Sequence, residues 1–317
     1  MFQLLLLTAC LAPAQASPKP TYLYGHDLKV RNVGAKNFDA TTPKVGVEFF
    51  HDTIGNTIVA ISEAGHIAVI PFTTAGDQKK AEWLSAFELR VRPAGVEKWS
   101  ESKQYAAETF KDTASGKLLH ITNLKTIAMT DMAAKPETDK EPSRHHALEL
   151  KVRNPGEEDF KSAKKIGLEI FRDGTTGGLV YISENGFLTF APAPTKAPEP
   201  DALKAPKALH GLSLQARKAD EGNFTKDTKA YGLEVFSDPN SGATLYISET
   251  GSIAAIPEGK VATGQGVKWS HSFSLKARKA GEKDFEKAAK YGIEVFEDKN
   301  TGALIYISEV GSIAVKK

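Results

Sequence analysis

Five arginines and five glutamates recur through this chain at near-constant spacing. The arginines are Arg31, Arg92, Arg153, Arg217 and Arg278, at steps of 61, 61, 64 and 61 residues. The glutamates are Glu48, Glu108, Glu169, Glu234 and Glu294, at steps of 60, 61, 65 and 60. Glu294 lies inside an apolar run, between Ile293 and Val295. A partly buried carboxylate needs a partner, and a guanidinium offers a planar, bidentate one. Two roles fit this pattern. The pairs tie strands together within or between repeated units, or they form five equivalent ligand sites or a charged ring around a channel. These ten residues are the candidate binding residues of the sequence.

A third acid recurs as Asp52, Asp112, Asp173, Asp238 and Asp298. In the last unit Asp298, Asn300 and Glu309 stand at positions 1, 3 and 12, as in an EF-hand calcium loop. The match fails at Gly302, which is at position 5 rather than 6, and an apolar strand fills the next positions. The Asp is therefore expected to cap a β-turn. His146, His210 and His271 are equivalent, seven residues before their arginines, and too dispersed for one metal cluster. His145 and His146 are expected on opposite faces of a strand. The "ISE" serines Ser62, Ser183, Ser248 and Ser308 read as turn entries rather than nucleophiles, since catalysis does not need four copies. There is no nucleophile elbow, zinc motif, P-loop or dinucleotide fingerprint. No catalytic residue, metal or cofactor is assigned.

The elements that must position these residues repeat with them. Five units align over Tyr24–Ile70, Ser85–Asp131, His146–Pro192, His210–Pro257 and His271–Lys317. A recurring aromatic (Phe38, Trp99, Phe160, Phe224, Phe285) keeps the same step as the arginines. In the last unit "FSLKAR" reads as a strand, and "GEKDFEKAAK" as a short helix or helical turn. "YGIEVFED", "ALIYIS" and "SIAVK" read as a three-stranded meander, with "KNTG" as the first tight turn. The second unit is the most eroded, with "YAAETF" where the others keep a glycine.

Leu304, Ile305, Tyr306 and Ile307 run consecutively, so this third strand is apolar on both faces and must be buried on both. A 47-residue unit cannot cover both sides of its own sheet, so its neighbours must. Four-stranded units that cover one another radially make a β-propeller, here with five blades. The period barely varies, which favours linkers that cross between packed blades over free spacers. The alternative is five small α+β units on a string. WD40 and kelch signatures are absent.

The first residues, MFQLLLLTACLAPAQAS, carry a short apolar run and a small-x-small site, so residues 1–16 read as a secretory signal peptide. The expected mature chain, 17–317, is a single repeat domain. The sole cysteine, Cys10, also gives a lipobox-like LTAC, and the alternative is a lipid anchor there. No later segment has the roughly 20 apolar residues of a membrane span. A net charge of +2 is too small a bias to argue for nucleic acid. These features predict an exported, periplasmic or extracellular, non-catalytic binding module for a carbohydrate or surface polymer, because repeated weak sites gain avidity. The alternatives are a structural scaffold with a protein partner in the cell envelope, and a propeller enzyme with one axial site.

Overall fold

The computed structural model describes residues 19–74, 76, 79–131, 141–173, 177–191, 203–259, 261–262 and 264–317. The expected signal peptide, Cys10 and the Pro-rich linker at 192–202 lie outside the described residues. Twenty strands form five sheets. Blade 1 holds β1 (Thr21–Lys29), β2 (Lys44–Asp52), β3 (Thr57–Ser62) and β4 (Ile67–Pro71). Blade 2 holds β5 (Ala81–Val91), β6 (Lys103–Asp112), β7 (Lys117–Thr122) and β8 (Ile127–Asp131). Blade 3 holds β9 (Ser143–Val152), β10 (Lys164–Arg172), β11 (Leu179–Ser183) and β12 (Leu188–Ala191). Blade 4 holds β13 (Lys207–Ala216), β14 (Lys229–Asp238), β15 (Ala243–Ser248) and β16 (Ile253–Pro257). Blade 5 holds β17 (Val267–Ala277), β18 (Ala289–Asp298), β19 (Ala303–Ser308) and β20 (Ile313–Lys316).

Every sheet is an antiparallel meander in sequence order, so each repeat builds one blade and no strand is exchanged. The fourth strands β4, β8, β12, β16 and β20 meet in a closed cycle, with β20 against β4. The molecule is a five-bladed β-propeller, and the string of separate units is ruled out.

The core lies between blades. Phe110 of blade 2 packs among blade 1 residues, Phe171 among those of blade 2, and Phe236 among those of blade 3. Phe296 does the same against blade 4, and Phe50 of blade 1 closes the ring against blade 5. The third strands are the most enclosed: every residue of β3, β11 and β15 is buried. Each copy thus supplies the second wall of its neighbour's core, which is why the phrase is repeated.

One expected element is corrected. The segment 281–290 forms a turn end and a bend at 284–287 before β18 begins at Ala289, and the described residues carry only a single 3-10 turn, Trp99–Glu101, at the equivalent place in blade 2. About ten residues nucleate a helix poorly. Local side-chain bonds compete as well: Asp39, Asp159 and Asp284 accept from the amide two residues on. The outer strands also begin before the aligned units and take in the linker ends, including Trp83 and Trp269. All five outer strands carry a register shift near their N-terminal ends. Such bulges twist an exposed edge away from further strand pairing.

Candidate functional site

The outer strand of each blade ends one or two residues before its arginine, and the second strand of the next blade supplies the glutamate. Arg31 Nε lies 2.6 Å from Glu108, Arg92 Nε 2.6 Å from Glu169, and Arg153 Nε 2.6 Å from Glu234. Arg217 reaches Glu294 at 2.6 Å, and Arg278 closes the ring onto Glu48 at 2.7 Å. All five pairs run between blades. Nη1 of each arginine donates to a carbonyl in its own following loop: Lys36, Glu97, Glu158, Gly222 or Glu282. That loop is thereby drawn around the guanidinium. The glutamates are all buried, so their carboxylates face their partners rather than solvent.

A glycine sets the approach. A Cβ on Gly46, Gly167, Gly232 or Gly292 would overlap the carbonyl oxygen of Arg278, Arg92, Arg153 or Arg217. Blade 2 has Ala106 there, and the groove between blades 1 and 2, lined by Ala106, Ala107 and Arg31, encloses about 460 Å³. The equivalent groove between blades 2 and 3 encloses about 310 Å³. The eroded glycine of the second unit thus lies in the wider of these two clefts.

The outer face of every pair carries an aromatic ring. Phe38 lies 4.9 Å from the Arg31 guanidinium, Trp99 4.7 Å from Arg92, and Phe160 4.6 Å from Arg153. Phe224 lies 4.4 Å from Arg217 and Phe285 4.8 Å from Arg278. Trp99, Phe160 and Phe224 are exposed, and Phe38 and Phe285 are half-buried. In the sequence these rings are only alignment landmarks. The available signal was an aromatic kept at a constant step inside a polar segment, where a core residue has no periodic apolar neighbours. The residue nine before each arginine is Tyr22, Trp83, Arg144, Ala208 or Trp269, and all but Ala208 bond to the pair shared with the preceding blade. Trp83 and Trp269 donate Nε1–H to Glu108 and Glu294 at 2.8 and 2.7 Å. Both stay exposed, as does Tyr22, whose ring meets Phe285 edge-on at 5.1 Å.

A second, buried tier of interblade bonds is centred on the hairpin aspartates. Asp298 takes a turn amide from Asn300 and bonds to His210 and Tyr246 of blade 4, at 3.0 and 2.8 Å. Asp52 takes His271 and Tyr306 of blade 5, at 3.0 and 2.8 Å. Asp238 takes Tyr181 at 2.6 Å with His146 at 3.5 Å. Asp112 takes Tyr24 and His26 of blade 1, where Ala60 replaces the strand tyrosine. Burial alone would raise Asp238, but His146, Tyr181 and the Asn240 amide hold it down to about 2. The aspartates are turn caps, as the calcium-loop mismatch implied, and they are interblade acceptors as well. No group of three metal-ligating side chains occurs among the described residues. His145 and His146 do not diverge as expected. The register shift at this point brings their Nδ1 atoms to 2.6 Å.

The "ISE" serines are buried at strand ends, and Ser62, Ser183 and Ser308 Oγ meet no partner. Around the axis, a small cavity of about 90 Å³ is lined by aliphatic side chains with Met129, Thr189 and Phe190. No titratable group lines it, so it offers an acid–base or charged ligand chemistry nothing to work with.

No family model and no curated protein sequence matches the chain. Among solved structures, selenomethionine-substituted virginiamycin B lyase from Staphylococcus aureus aligns over 92% of this chain and 97% of its own, at 11% identity and a TM-score of 0.11. A superposition that poor carries no weight for this chain's chemistry. The propeller class follows from the sheet order and the closed ring of inner strands.

Proposed function

We propose that the protein is an exported, non-catalytic binding module whose rim clefts take up a carbohydrate or surface polymer. The observation that carries this reading is the fivefold repetition of an aromatic ring on an interblade Arg–Glu pair, at the edge of an open groove. Aromatic faces are electron-rich and pack against the C–H face of a sugar ring. A recurring aromatic ring that is exposed in three copies and half-buried in two is the kind of apolar surface that marks an interaction site. The five arginines and five glutamates form the floor of the clefts and hold the aromatic rings in place. Their hydrogen-bonding atoms are mostly committed to each other and to the loops. Five shallow sites spaced around one rigid ring suit a ligand long enough to touch several.

The test is binding of the exported form, 17–317, to a broad panel of glycans and cell-wall polymers, with the stoichiometry of any hit. Saturation at several ligands per chain, weakened by Trp83→Ala and Phe224→Ala, is the expected result. One ligand per chain would move the site to the axis. No binding to any polymer, with a protein recovered by cross-linking in the envelope, would replace this reading with that of a scaffold.

A further inference from the structure

The five clefts are not equal, and the one between blades 2 and 3 differs in charge. Elsewhere one arginine meets one glutamate, and at two of the interfaces an indole N–H joins the arginine Nη2 on the same carboxylate oxygen, Oε2. Here two arginines share Glu169: Arg92 Nε reaches Oε1 at 2.6 Å and Arg144 Nε reaches Oε2 at 3.0 Å. Glu169 is 1% exposed and held at both oxygens, while the Arg144 side chain is 42% exposed. In all four other clefts Nη2 of the first arginine donates to the glutamate Oε2. Here, among the described residues, Nη2 of Arg92 and both terminal nitrogens of Arg144 have no hydrogen-bond partner. Both guanidinium groups lie against one indole: Trp99 is 4.7 Å from Arg92, 5.3 Å from Arg144, and 37% exposed.

The nearby carboxylates do not quench this surplus equally. Glu149 is paired with Lys165 at 2.6 Å and accepts the Gly95 amide. Glu97 lines the groove and is exposed, and it meets Arg92 through its backbone carbonyl. The unspent N–H groups are therefore the distinctive feature of this cleft, and planar guanidinium donors match a carboxylate bidentately.

We infer that the cleft between blades 2 and 3 binds an acidic sugar, with the ring against Trp99 and its carboxylate on Arg144 and Arg92, while the other clefts take neutral sugar faces. This rests on the reading of the rim clefts as ligand sites, and it adds that one of them selects for charge. The acidic unit of a mixed polymer would then fix the register in which the polymer lies around the rim.

The three tryptophans occupy three different clefts, which supplies the test. Full-length protein labelled with 5-fluorotryptophan gives one fluorine resonance each for Trp83, Trp99 and Trp269, assigned by single Trp→Phe variants. Titration with trigalacturonate and with neutral maltotriose reads each cleft separately. The expected result is a saturable shift at Trp99 with trigalacturonate, at a Kd roughly tenfold or more below that for maltotriose. The preference falls toward unity in Arg144→Ala, is partly kept in Arg144→Lys, and increases in Glu97→Gln. Equal response of Trp99 to the two trisaccharides, or a preference that survives Arg144→Ala with the unfolding midpoint unchanged, overturns the inference. If Trp83 or Trp269 responds to a glycan and Trp99 does not respond to trigalacturonate, the charge selection fails alone. If no tryptophan responds to either trisaccharide or to any glycan of the panel, the rim-site reading fails and takes this inference with it.

Discussion

The interface that closes the ring, between blades 5 and 1, and the interface between blades 2 and 3 are built on one plan and filled differently. At the closure, Arg278 holds Glu48 with both Nε and Nη2, and His271 and Tyr306 both reach Asp52. Tyr291 adds a bond to the Glu63 carbonyl, and the Ala280 amide reaches the Glu63 carboxylate. At the 2/3 interface Ser85 stands where His271 is, and His120 where Tyr306 is. Ser85 Oγ and His120 Nε2 are buried without a hydrogen-bond partner, and Phe190 stacks on the His120 ring at 3.8 Å. The rim pair there has a second arginine. A ring with no strand exchange depends on the side chains at its closure, because the chain itself passes between blades only at the other four interfaces. The interfaces that the chain crosses can lose consensus bonds and gain other chemistry.

The sharpest way to break this comparison is to remove one arginine from each interface. Arg278→Ala leaves Glu48 buried without its guanidinium, and the expected loss is about 3–5 kcal/mol in denaturant unfolding. Arg92→Ala should cost roughly 1–2 kcal/mol less, because Arg144 still holds Glu169. Equal losses would mean that Arg144 contributes nothing to the pair.

Acid titration separates the buried tiers with a smaller effect. Burial lowers His120 to about 4, against the pull of Asp173. The unfolded chain takes up this proton near the ordinary value of about 6.5, and the folded chain does not. Stability is therefore expected to fall as pH drops from about 6.5 to about 4, and His120→Phe should flatten that limb. Asp238 adds a second limb of the same sign at lower pH. Its folded value near 2 lies below the unfolded value of about 3.9, so its contribution is full above 3.9 and is lost as pH falls toward 2. Unfolding midpoints measured from pH 7 to pH 2 should show the first limb shrink in the His120 variant, with His66 and His145, also lowered by burial, supplying the rest, and the second limb remain.

The smallest effect concerns the interface between blades 3 and 4. Glu184 and Glu309 accept amides from Ala94 and Ala219 of the preceding blade. At the corresponding position blade 3 has Pro155, which has no amide hydrogen, and Glu249 Oε2 is buried without a partner. Burial raises the Glu249 carboxyl above its ordinary value. The charged form is thus disfavoured on folding, and its cost appears as pH rises through the carboxylate range. Glu249→Gln is expected to raise stability by about 0.5–1 kcal/mol at pH 7 and to make no difference below about pH 4. A loss of stability at pH 7 would show that Glu249 has an essential acceptor role.

Much of this architecture was legible in the residue pattern. A strand apolar on both faces, as in "ALIYIS", requires covering on both sides, and five such strands at one period can cover each other only in a stack or ring. The Arg and Glu at fixed offsets were legible as pairs because a carboxylate within an apolar strand requires a counter-ion. The supposed short helix at 281–290 was misleading, since its Ala-rich polar composition matches a turn bound by its own side chains equally well. The direction of the pairing could not be read, because every unit carries both partners and a bond within a blade has the same spacing as a bond between blades. The exposed aromatic clefts were equally hidden: Trp99 and Phe224 recur as regularly as core residues do, and only packing decides whether a recurring ring faces inward or out. Composition and period therefore determined five blades and their buried strands, since burial depends on local pattern. The tertiary structure alone decided which blade each arginine holds, that blade 5 meets blade 1, and that two arginines converge on Glu169. Those outcomes depend on how the ring closes in space, which no single repeat encodes.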